Sequence, residues 1–239
     1  MLLNTFNKKE KKTLLAIAIL FFLFFIFRIL SQKYFLKDSY EYLEIAKKIA
    51  TFTFFENDSD PSLITRRPFF YPLFLALFYK FNILVVILFQ TLISFLTVLI
   101  LFDIVKFFGV TIRPYFIIFF ICTPSIFIYS QILMSEWLVM FLITMLFWLI
   151  IQGWNGKNFV YIQIITLLLA FTKPIFYPFI YVSFVFFIIY FIKTKRFSIW
   201  LFFPIILLQL YMGFNEKRTG YYHFSSIENI NLINYNLYY

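Results

Sequence analysis

Five side chains have types and positions that could do chemistry on a phosphorylated or hydroxylic substrate: Asp38, Arg66, Arg67, Glu136 and Lys173. An aspartate carboxylate can take a proton from an attacking hydroxyl or amine. Arginine and lysine can hold phosphate oxygens, arginine through two parallel N–H bonds. A second carboxylate can orient the first, or share a divalent cation with it. Each residue also has a plainer reading, and the sequence leaves both open. Asp38 with Glu41 three residues later has the spacing of a helix capping box. Arg66-Arg67, ahead of Pro68-Phe69-Phe70-Tyr71-Pro72, could anchor a segment at a membrane surface. Glu136 in Ser135-Glu136-Trp137 could suit the positive end of a helix dipole. Lys173 in Thr172-Lys173-Pro174 could snorkel to a lipid–water interface. Cys122, His223 and the phenylalanine stripes read as packing or lipid-facing residues.

The elements that must position these five are set by an unusual composition. The 239 residues are 63% hydrophobic and 13% charged, against about 25% charged in an ordinary globular chain. Aromatics make up 25%, including 39 Phe. The expected fold is all-α, a polytopic transmembrane helical bundle of about seven spans with amphipathic juxtamembrane helices in the first outer loop. A single cysteine can close no internal disulfide, and a single histidine cannot build a His-based metal cluster within one chain. The net charge of +10 is spread over loops between hydrophobic runs, with no aromatic-basic motif, so it reads as membrane-flanking charge rather than a nucleic-acid surface. The bias towards Phe, Ile, Tyr, Asn and Lys points to an AT-rich genome and a bacterial source.

Residues 1–12 carry Lys8, Lys9, Lys11 and Lys12 and read as a cytoplasmic N-terminus. Thr13 to Leu30 follows as an uncleaved first span, with Arg28 near its far end. Residues 32–82 form an outer loop holding six of the chain's eleven acids: Asp38, Glu41, Glu44, Glu56, Asp58 and Asp60. Within it, the period of Tyr42, Ile45, Ala46 and Ile49 predicts a short amphipathic helix over 38–50. The 56–67 segment reads as a polar loop, and Pro68 to Phe78 as a short interfacial stretch. Asn82 to Val105 is a second span, with Asp103 and Lys106 at its cytoplasmic end. As one helix, the hydrophobic block 114–152 would run about 58 Å, nearly twice the ~30 Å hydrocarbon core. It must therefore reverse, most naturally over Gln131 to Glu136. The same argument splits 158–192 at Thr172-Lys173-Pro174. A seventh span covers about 197–214, inside a transmembrane module of 13–214, and 215–239 is an outer-face tail. Lys106, Arg113, Lys157, Lys193, Lys195 and Arg196 fall on predicted cytoplasmic loops.

The order of these pieces resembles the GT-C superfamily of integral-membrane glycosyltransferases, in its bacterial protein-mannosyltransferase and aminoarabinose-transferase-like branch. The matching residues are Asp38 after the first span, then Tyr42, Ile45 and Ala46. Arg67-Pro68, Tyr71-Pro72-Leu73-Phe74-Leu75 and Gln90 come next. Pro124 to Glu136 and Leu169 to Pro174 follow, with Lys173 in place of the usual arginine. Asn215, Gly220, Phe224-Ser225-Ser226, Asn231-Leu232 and Asn236 complete the set. The resemblance implies that Asp38 is the catalytic base and Glu136 a second acid in an outer cavity. It also implies further spans beyond Tyr239, so the chain would be truncated, naturally minimal, or half of a split enzyme.

The expected activity is transfer of a sugar from a polyprenyl-phosphate donor to a glycan, lipid or protein acceptor on the outer face of the bacterial inner membrane. Arg66, Arg67 and Lys173 would bind the donor phosphate, with Lys217 and Arg218 as lesser candidates. A divalent metal held by Asp38 and Glu136 is an option that this chemistry does not require. The rival readings are a non-catalytic GT-C-like scaffold working with a partner membrane subunit, and a transporter. A transporter would place ionisable groups near mid-membrane, whereas here they sit at predicted span ends.

Overall fold

A computed structural model of the chain describes residues 6–54, 65–153, 156–195 and 202–227, and among these all regular secondary structure is helical. The helices are α1 (Lys8–Ser31), α2 (Lys37–Ala50), α3 (Phe70–Leu77), α4 (Ile83–Phe107), α5 (Tyr115–Cys122), α6 (Ser125–Tyr129), α7 (Glu136–Ile151), α8 (Gly156–Ala170), α9 (Pro178–Thr194) and α10 (Phe203–Thr219), with a 3-10 turn at Pro174–Phe176. Glu56, Asp58, Asp60, Arg196 and the tail motifs Asn231-Leu232 and Asn236 lie outside the described residues.

Among the described residues, three helical stretches are long and apolar enough to cross a membrane: Lys8–Ser31, Ile83–Phe107 and Pro174–Lys193. The last is only 11% buried within the protein, so most of its apolar surface needs a non-aqueous neighbour. Two further apolar helices, α7 with 16 residues and α8 with 15, would span about 24 and 22 Å at about 1.5 Å per residue.

The described residues form two compact units, one from residues 1–40 and 80–152, the other from 41–79 and 153–239. In the first unit, α1 is longer than the predicted span because its start is built locally. Asn7 Oδ1 accepts from the Glu10 N–H at 2.9 Å while Glu10 Oε2 accepts from the Asn7 N–H at 2.8 Å. This reciprocal box extends the helix over the lysines. Helix α4 runs antiparallel to α1. Lys106 Nζ lies 3.2 Å from Glu10 Oε2 at one end, and Phe21 packs on Phe95 further along.

Helix α7 packs on α4 in parallel with it. Trp148 Nε1 donates to Asp103 Oδ2 at 2.7 Å. At the opposite end, Gln90 Nε2 donates to the Ile132 and Ser130 carbonyls at 2.9 and 3.3 Å.

The stretch between α4 and α7 corrects one expectation. The first half of the 114–152 block is not a single helix. It breaks at Thr123-Pro124 into α5 and α6. Proline has no N–H to donate and clashes with the preceding turn. It also drives Thr123 out of the helical region, to φ −121° and ψ 68°. The broken piece still traverses the unit. Phe116 and Phe120 pack on Phe102 near one end of α4, while Phe127 packs on Phe21 and Phe24 of α1. The buried Gln131 amide then donates to the Phe24 carbonyl at 2.7 Å and accepts from the Phe25 N–H at 2.9 Å. The reversal over 131–136 and the split at 172–174 fall where the sequence placed them.

In the second unit, α8, α9 and α10 run alternately up and down. Phe159 meets Phe187 and Tyr190 at one end of the α8–α9 pair, and Leu167 and Ala170 cluster with Ile180 at the other. Midway, Ser183 Oγ donates to Gln163 Oε1 at 3.1 Å. Phe184 packs on Phe202 ahead of α10.

Candidate functional site

The amphipathic helix α2 forms as its apolar period dictates. Tyr42, Ile45 and Ala46 are 2%, 1% and 0% exposed. Asp38 is half-buried and is the second residue of the helix rather than its N-cap. The capping-box reading of Asp38 with Glu41 therefore does not hold. Its place is taken by buried Ser39, whose Oγ accepts from the Leu36 N–H at 2.8 Å.

Glu41 has a stronger partner. Arg66 Nη1 donates to its Oε1 at 2.9 Å and Arg67 Nε to its Oε2 at 2.7 Å. The Arg67 guanidinium also lies 5.3 Å from the centre of the Tyr42 ring, and Tyr42 meets Tyr71 edge-on at 4.8 Å. Burial alone would raise the Glu41 pKa, but the two guanidinium hydrogen bonds and charges outweigh it and hold the carboxyl below its ordinary value.

The backbone around the arginines is fixed by two elements from the other half of the sequence. The Phe70 N–H donates to the Phe171 carbonyl at 2.9 Å, two residues before Lys173. Ser225 Oγ donates to the Arg66 carbonyl at 2.6 Å. Arg218 donates to the Phe54 carbonyl. The second unit thus gathers Arg66-Arg67, the turn carrying Lys173 and the segment after α10. Lys173 is half-buried and extended, with φ −139° and ψ 132°, at the entry to the 3-10 turn.

Glu136 is the first residue of α7 and half-buried, where its charge suits the helix dipole. It belongs to the first unit with Asp38. There the Leu133 N–H donates to the Tyr34 carbonyl at 3.0 Å, tying the turn before Glu136 to the segment before Asp38. Among the described residues, no three or more His, Cys, Asp or Glu side chains gather as a metal site. A divalent ion held by Asp38 and Glu136 would have to draw its remaining ligands from backbone or substrate oxygens.

Sequence reasoning missed Glu41 as the arginines' partner, because 25 and 26 residues separate them and no local period links them. It also missed the Glu10–Lys106 and Asp103–Trp148 pairs, each of which joins two helix ends. No protein-family model matches the chain, and no curated protein or solved structure matches it.

Proposed function

We propose that the chain is a multi-pass membrane glycosyltransferase that uses a polyprenyl-phosphate-linked sugar, with Asp38 as general base. In this reading α1, α4, the broken α5–α6 segment, α7, α8, α9 and α10 make seven crossings. The N-terminal lysines stay in the cytoplasm, and the loop holding Asp38 lies on the outer face of a bacterial inner membrane.

The observation that carries the proposal is the setting of Asp38. Its half-buried carboxylate stands in the first turn of α2, seven residues beyond the end of a membrane-length helix. The segment leading to it is pinned to the turn that carries the second acid, Glu136. A carboxylate so placed can accept the proton of an acceptor hydroxyl as the oxygen attacks the anomeric carbon. The bond from that carbon to the phosphate oxygen breaks, and polyprenyl phosphate departs with the electron pair. Arg66, Arg67 and Lys173 would stabilise the developing negative charge.

The test is transfer from a labelled polyprenyl-phosphate sugar by the full chain in proteoliposomes. Asp38→Asn should lower turnover by about 10²–10⁴-fold. A folded variant with near wild-type turnover would remove Asp38 from the chemistry.

One observation favours a second reading, a non-catalytic scaffold: Glu41 already engages both arginines. In that case the chain turns over no lipid-linked sugar and copurifies stably with another membrane protein.

A further inference from the structure

The second unit contains an apolar cleft of about 300 Å³ lined by Ile49, Phe52, Phe54, Phe69, Leu73, Tyr211 and Phe214. Apart from the Tyr211 hydroxyl, these side chains offer a ligand no hydrogen-bonding group. Phe52 is its exposed lip. It follows the end of α2, is 88% exposed, and holds a left-handed backbone at φ 59°. A bulky side chain at positive φ is a strained choice. In water, that ring would gain nothing from its position.

Charge surrounds this lip. Lys47 and Lys48 form the last turn of α2, and Lys217 and Arg218 the last turn of α10. Arg218 stacks its guanidinium 4.5 Å from the Phe54 ring centre and 4.0 Å from that of Phe214, two rings that line the cleft. Of the acids on the same two helices, Asp38, Glu41 and Glu44 lie on earlier turns of α2, and Glu41 is engaged by Arg66 and Arg67; only Glu216 shares these last turns, so cations outnumber it there.

We infer that this cleft seats one acyl chain of an anionic bilayer phospholipid, with Phe52 inserted among the lipid chains and the four cations facing the headgroup. The inference rests on the chain being membrane-embedded, but not on glycosyl transfer. At about 300 Å³ the cleft takes only part of a lipid chain, so the charge beside it names the occupant: an apolar slot beside arginine and lysine is the arrangement that separates anionic from zwitterionic headgroups.

The full chain, purified in detergent, would be incubated with phosphatidylglycerol, phosphatidylcholine of the same acyl chains, or undecaprenyl phosphate. Retained lipid would be counted by native mass spectrometry. Phosphatidylglycerol should be retained over phosphatidylcholine, and Arg218→Gln should cut that preference about fivefold. Leu73→Trp, which fills the cleft, should abolish retention. Because that variant could misfold, Phe52→Gly provides a second arm. Glycine accepts the positive φ, so the protein should stay folded while phosphatidylglycerol retention falls.

Equal retention of the two phospholipids overturns the proposal, as does unchanged retention in folded Leu73→Trp or Phe52→Gly. Retention of undecaprenyl phosphate alone would assign the cleft to a prenyl donor and equally overturn it. Sugar transfer is read separately. Lipid retention without turnover sinks the transferase reading only, and turnover without phosphatidylglycerol preference sinks this one only.

Discussion

At the scale of single residues, Glu41 has the most distinctive surroundings. Its side chain is 18% exposed and those of Arg66 and Arg67 are 31% and 15%, between a surface ion pair and a buried one. Glu41→Gln should therefore cost about 1–2 kcal/mol, measured by thermal unfolding in detergent. The pH dependence has a definite sign. The folded-state pKa lies below the unfolded value of about 4.3. The pair's contribution is thus complete above that value and is lost as the pH falls through the folded pKa. Acidification below about pH 4.5 should narrow the stability gap between wild type and Glu41→Gln. A gap that stays constant to pH 3 would show that the carboxylate is not the group involved. This pairing was hidden in the sequence, where Glu41 reads as the third residue of a cap. A local motif and a distant pair of guanidiniums compete for the same carboxylate, and the doubly charge-assisted contact wins.

At the scale of elements, the helices were legible wherever one short-range rule governed them. The apolar face of α2 is buried at the residues its period selects. The reversals at 131–136 and 172–174 follow from helix length against bilayer thickness. The break at Thr123-Pro124 was signalled by the proline itself, but uniform apolarity masked it. The turn between α6 and α7 depends on Gln90, which is fully buried and donates to two carbonyls of that turn. Gln90→Leu keeps the volume and removes both donors. It should destabilise the folded protein by about 1–2 kcal/mol, seen as a lower Tm. An unchanged Tm would mean those carbonyls find other donors at no cost.

At the scale of the whole molecule, the proposed seven crossings fix which residues share a side of the membrane. With Cys122 replaced by serine, single cysteines at Thr51 and Tyr221 should react with a membrane-impermeant maleimide added to intact cells. Cysteines at Lys157 and Lys195 should react only after permeabilisation. Labelling of Thr51 and Lys157 from the same side would refute the crossing pattern. Within the second unit, Phe54 with Arg218 and Arg66 with Ser225 join segments that the alternation assigns to one face. Hydropathy could assign that face but could not name the partners, because side-chain pairs more than a hundred residues apart leave no trace in composition.

The Glu10–Lys106 pair has a consequence in time. The partners are 96 residues apart, so at roughly 5–20 residues per second the ribosome makes Lys106 roughly 5–20 s after Glu10. Until then, the Glu10 carboxylate has its neighbour Asn7, whose backbone N–H it accepts in a contact that forms with the first turn of α1. The nascent helix therefore carries its own temporary counterpart for a charge that ends 3% exposed. Synthesis of α4 then closes the pair, before the remaining five proposed crossings are made.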